Sequence, residues 1–109
     1  MTDKIVVLST CATETDAERL ARALVAGRLA ACVNVVPGTR SFYHWKGEIE
    51  SSAEFLLIIK TSRELFPALN AEMAKLHPYE VPELLALPVV DGAENYLSWL
   101  DSNLRGAQK

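Results

Sequence analysis

This chain has little of what most small catalytic domains use. It holds two cysteines, two histidines and five glycines in 109 residues. The glycines stand apart at 27, 38, 47, 92 and 106, so no phosphate-cradling glycine loop is formed. No Cys-x-x-Cys or His-x-x-x-His metal spacing occurs. A serine or cysteine triad needs a base, and only His44 and His77 could supply one, neither near an elbow motif. These absences point away from an enzyme. Basic clusters are missing too, and 11 Lys and Arg against 14 Asp and Glu leave a net charge of −3. Nucleic acid is therefore not an expected partner, since phosphate contacts need grouped cations. No apolar run is long enough to span a membrane. The N-terminus enters a strand-like run at once and lacks the three regions of a signal peptide, which predicts a cytoplasmic protein with reduced thiols.

Half of the residues are hydrophobic, enough for the core of one domain covering 1–109. Ile5-Val6-Val7-Leu8 reads as a buried strand. Thr15-Asp16-Ala17-Glu18 has the form of a capping box, followed by Leu20, Ala21, Leu24 and Val25 at helical spacing and Gly27 as a stop. Ala31 to Val36 predicts a second strand, bent or interrupted at Pro37-Gly38, and resumed at Phe42-Tyr43-His44-Trp45. Lys46-Gly47 marks a turn, and Glu48 to Lys60 the return strand of a long hairpin. Thr61 and Glu64 suggest a second box ahead of the stripe Leu65, Leu69, Met73, Leu76. Pro67 tolerates only the first helical turn, which moves that helix later. His77-Pro78 ends it. Leu84 to Leu87 is a fourth strand, placed at an edge by Pro88, and Asp91-Gly92 starts a last helix with Tyr96, Leu97, Trp99 and Leu100. The tail from Arg105 is polar and expected to fray. Strand, helix, strand, strand, helix, strand, helix is the α+β, ferredoxin-like plan, with the first two helices on one face of the sheet.

Two helices cover one face, yet the strands do not alternate apolar with polar. Ile5 to Leu8, Phe55 to Ile59 and Leu84 to Leu87 are apolar on both sides. The hairpin end adds Phe42 and His44 on one side and Tyr43 and Trp45 on the other. Apolar surface of that extent predicts an oligomer, with Phe42, Tyr43 and Trp45 as interface anchors.

Four groups of residues are candidates for chemistry. Cys11 follows the first strand in Thr10-Cys11-Ala12-Thr13, where a helix N-terminus would lower its pKa; the plainer reading is a small buried hydrophobe. His77 at a helix end either caps carbonyls or binds a metal. Glu48, Glu50 and Glu54 share a strand face and form either a hard-cation patch or a solvated one. Tyr79, Glu80 and Glu83 lie close to His77 and make a candidate ligand cleft.

Leu29-Ala30-Ala31-Cys32-Val33-Asn34, Tyr43-His44-Trp45-Lys46-Gly47-Glu48-Ile49-Glu50, His77-Pro78-Tyr79-Glu80-Val81-Pro82-Glu83-Leu84 and Tyr96-Leu97-Ser98-Trp99-Leu100 together resemble the CutA family of divalent-ion tolerance proteins. The resemblance implies a ferredoxin-like subunit in a homotrimer, a link to divalent metal and chiefly copper tolerance, and no catalysis. It also implies copper ligands at the positions of Ser9, Leu76 and His77. Only His77 is a ligand type there, with Cys11 two residues beyond Ser9 as a substitute. The fold allows a second reading, a PII-like signalling trimer binding a small ligand between subunits.

Overall fold

The computed structural model describes residues 1–106. Its elements are β1 (Lys4–Cys11), α1 (Glu14–Ala26), β2 (Cys32–Trp45), β3 (Glu48–Ser62), a 3-10 turn (Arg63–Leu65), α2 (Phe66–Leu76), β4 (Leu85–Pro88) and α3 (Glu94–Ser102). The four strands form one antiparallel sheet in the order β2-β3-β1-β4. This is the ferredoxin-like arrangement that the element order predicts.

Local chemistry explains the boundaries. Thr13, not Thr15, caps α1: its Oγ1 accepts the Asp16 N–H at 3.1 Å. Glu14 and Asp16 then sit in the first turn, where the helix dipole favours negative charge. Thr13→Ala is expected to cost about 1 kcal/mol, read as a lowered urea midpoint. At the other end the left-handed residue is Arg28, with φ 57°, rather than Gly27. The chain's last described segment ties down this helix end: Arg105 N–H donates to the Arg28 carbonyl at 2.8 Å and its guanidinium to that of Gly27 at 3.1 Å. Arg105 is thus anchored, contrary to the expected fraying, while 107–109 lie outside the described residues.

The second capping box does not form. Thr61 Oγ1 is buried and donates to the Leu29 carbonyl at 2.7 Å, and α2 begins only at Phe66 with Pro67 in its first turn. Likewise α3 starts at Glu94, two residues beyond Asp91-Gly92, with no side-chain cap. Pro37-Gly38 bends β2 without breaking it. The register slips by one residue between Val36 and Thr39, and Gly38 takes φ 78° as a bulge requires. Lys46 and Gly47 both have positive φ, 51° and 81°, the two-residue turn whose twist suits a hairpin. The hairpin's length accounts for an elongated molecule, 48 × 26 × 22 Å.

Register separates the two faces of the sheet. Ile5, Val7, Ser9 and Cys11 on β1 align with Thr61, Ile59, Leu57 and Phe55 on β3. This face packs beneath α1 and α2, with Leu20, Leu24, Leu69 and Met73 buried against Val7, Leu57 and Ile59. The alternate residues form the second face. α3 reaches part of it: Asp101 pairs with Lys4 at 2.8 Å, and the Tyr96 ring lies 5.9 Å from the Lys60 ammonium. Val6, Leu8, Leu56 and Ile58 stay only partly covered, and on the edge strand Leu85 and Leu87 are 58% and 47% exposed.

Candidate functional site

β4 pairs with β1 only from Ile5 to Leu8. Ser9, Thr10 and Cys11 therefore run on with no strand on that side. Residues 77–84, between α2 and β4, begin against this edge at His77. His77 ends α2 with its N–H bonded to the Met73 carbonyl, and its ring turns inward, 6% exposed. Nε2 lies 2.8 Å from the Thr10 carbonyl oxygen, and Nδ1 is 3.1 Å from the Tyr79 amide nitrogen. A carbonyl only accepts and a main-chain amide only donates, so Nε2 carries the proton and Nδ1 offers its lone pair. The Tyr79 ring tilts against the imidazole at 4.7 Å between centroids. Its hydroxyl donates to Glu54 Oε2 at 2.5 Å.

Glu54 is 6% exposed, and the tyrosine hydroxyl is what meets its carboxylate there. Burial, then the hydrogen bond to Glu54 and its negative charge, push the Tyr79 phenol well above the usual tyrosine range. Ser9 Oγ, fully buried on the helix-covered face, has no hydrogen-bond partner among the described residues.

Cys11 lies on β1 and not in the loop after it. It is the last residue of β1, fully buried, and its thiol meets the Thr13 carbonyl at 3.7 Å. Burial, helped by the charges of Asp16 and Glu54, pushes its pKa up. The helix N-terminus does not activate it, and the small-hydrophobe reading describes it better. In the native protein at pH 7.5, iodoacetamide is expected to label Cys11 at least about a hundredfold more slowly than in urea, because a buried, protonated thiol is a poor nucleophile. Peptide mass mapping checks this, with half-buried Cys32 as the internal comparison. Both cysteines are free thiols.

The sequence candidates divide accordingly. The structure brings His77, Tyr79, Thr10 and Glu54 into one hydrogen-bonded chain. Glu80 and Glu83 face outward, flanking Val81, which is 81% exposed. Two open grooves, of ≈ 340 and ≈ 290 Å³, lie elsewhere: one between Ile5, Phe66, Ala86 and Pro88, the other between Lys4, Glu94 and Asp101. A cleft at Tyr79, Glu80 and Glu83 would need a wall from a neighbouring chain. Glu48 and Glu50 share Glu54's face by register but are exposed, while Glu54 is engaged by Tyr79. Among the described residues no group of three or more His, Cys, Asp and Glu is placed to hold a metal ion. His77 and Cys11, as built, do not fit a copper site: one has its lone pair engaged and the other is a buried thiol. Glu54 escaped sequence reasoning as the partner of Tyr79. Its signal was a lone acid ahead of the apolar run Phe55-Leu56-Leu57-Ile58-Ile59.

The class this structure defines is a small ferredoxin-like α+β domain with a two-residue-turn hairpin, an apolar second sheet face and an inward-turned histidine after α2. The family described as CutA1 divalent ion tolerance protein matches residues 5–103, and the chain belongs to it. It is similar to the divalent-cation tolerance protein CutA of Thermus thermophilus, 50% identical over 98 residues, which are 90% of this chain and 95% of that one. The protein of the same name from Pectobacterium atrosepticum is 44% identical over 103 residues, 94% of each chain. The crystal structure of CutA1 from Oryza sativa matches with a TM-score of 0.93 at 44% identity, covering 94% of each. Among the described residues no helix is long and apolar enough to cross a membrane.

Proposed function

We propose that this chain is the subunit of a cytoplasmic homotrimer that takes part in the response to divalent cations, copper(II) among them, by binding rather than by catalysis. The observation that carries the assembly is the second sheet face, where Val6, Leu8, Leu56, Ile58, Leu85 and Leu87 stay partly or largely exposed. Monomers seldom leave that much contiguous apolar surface in water. Phe42, 65% exposed, with Tyr43 and Trp45 on the projecting hairpin, suits gripping a neighbouring chain. Three copies is the number the family resemblance implies. Two free thiols suit a reducing compartment. A binding role is supported by the histidine itself, whose two nitrogens are spent inside the fold and so are unavailable for proton transfer.

Light scattering at micromolar concentration, followed by calorimetric titration with copper(II) and zinc(II), tests the reading. The expected result is a mass of three chains and a saturable heat. A well-folded lone subunit, or flat titrations, would remove it. The second reading, a small ligand held between subunits as in PII-like proteins, draws on exposed Glu80, Val81 and Glu83 beside Tyr79. A thermal-shift screen with nucleotides and small anions separates the two.

A further inference from the structure

The imidazole of His77 has one ring proton and one lone pair in its neutral form, and both are already used. The proton goes to the Thr10 carbonyl on the bare end of β1, and the lone pair takes the Tyr79 N–H. A metal binds imidazole through that lone pair. At His77 it would have to displace the amide of Tyr79, two residues on in the same loop, leaving a half-buried backbone donor without its partner. The neighbouring positions give no help. Leu76 packs on the core, Ser9 Oγ is buried among the apolar residues of the helix-covered face, and the Cys11 thiol is buried.

We infer that His77 is a clasp and not a cation ligand: its neutral ring stitches the start of residues 77–84 to the end of β1 that β4 leaves unpaired and so sets Tyr79 where its hydroxyl meets Glu54. The role is positioning. β4 is only four residues long and ends its pairing at Leu8, so this imidazole takes the place of a strand at Thr10. Without it, Thr10 loses an acceptor's partner and Tyr79 loses the anchor two residues behind its ring. Any divalent cation the protein holds is then met by other donors. The inference bears on the cation reading above without depending on it, since the clasp stands whether or not a cation binds.

Side-chain nitrogen NMR on the uniformly ¹⁵N-labelled wild type, at pH 7.5 with and without zinc(II), tests this directly. Only His44 and His77 contribute imidazole signals, and His44 is exposed on the hairpin. The expected spectrum gives His77 a proton on Nε2 and a bare Nδ1, both unmoved by stoichiometric zinc. A proton on Nδ1, or a zinc-dependent shift of either His77 nitrogen, overturns the inference. His77→Gln supplies a second readout. Its amide can still donate to Thr10 but offers Tyr79 N–H no acceptor in place. Hydrogen exchange at the Tyr79 amide should rise about tenfold, the worth of one net hydrogen bond, with the copper(II) isotherm unchanged. Loss of copper(II) heat with Tyr79 exchange unaltered would instead make His77 a ligand. If the variant does not fold, the wild-type spectrum alone decides, and in either case the calorimetry of the unsubstituted protein judges the cation reading separately.

Discussion

Leu85→Glu combined with Leu87→Glu is expected to turn the proposed trimer into single chains, seen as a drop in light-scattering mass at micromolar protein. Both residues sit on the edge strand, and their register with Leu8 and Val6 puts them on the face that α1 and α2 leave uncovered. Burying a leucine against a neighbour contributes about 1.5–3 kcal/mol at full burial. Placing a carboxylate there adds a desolvation penalty of several kcal/mol. Two such changes remove about 5 kcal/mol or more, several thousandfold in the association constant. The lone subunit should survive, since β4 is exposed along its whole length and the main core lies on the other face. Val25→Glu, an exposed position on α1 away from that face, is the matched control and should leave the mass unchanged. An unaltered mass in the double variant would mean that association uses a different surface.

Tyr79→Phe is expected to cost about 2–3 kcal/mol of stability at pH 7, the loss of a hydrogen bond to a buried carboxylate. The phenol's pKa is raised in the fold, by burial first and then by Glu54. Its contribution is therefore fully present below the unfolded tyrosine pKa near 10. Above that pH the unfolded chain releases the proton while the folded chain retains it, so stability falls as pH rises. Wild type should lose stability more steeply than Tyr79→Phe between about pH 10 and 11 by this linkage. The gap between the two proteins should narrow as pH rises. Lys4 and Cys11, whose pKa values are also raised, are common to both and cancel: burial lowers Lys4 but hydrogen bonds to Asp101 and Asp3 outweigh that, and burial raises Cys11. Urea midpoints from pH 7 to 11 measure this, and parallel pH profiles would mean that the phenol is not held by Glu54.

The outline of the molecule was legible because it is written in local patterns. Apolar runs gave the strands, the 3.6-residue stripes gave the helices, and Lys46-Gly47 and Pro88 marked a turn and an edge. Caps were misplaced where two hydroxyls competed nearby: Thr13 outdid Thr15, and Thr61 served Leu29 across 32 residues instead of α2. Cys11 looked like a loop residue because its neighbours are small and polar, yet pairing with Phe55 extends β1 to include it.

What the chain determines by itself is its element order, its two-sided apolar strands and its family, since each depends on residues close together or on motifs read in sequence. The tertiary structure alone decided what His77 and Tyr79 do. Thr10 and Glu54 lie 67 and 25 residues from them along the chain. A hydrogen bond is directional and reaches only about 3 Å. Which donor finds which acceptor is therefore settled only when β1 outruns β4 and the loop folds back onto its bare end.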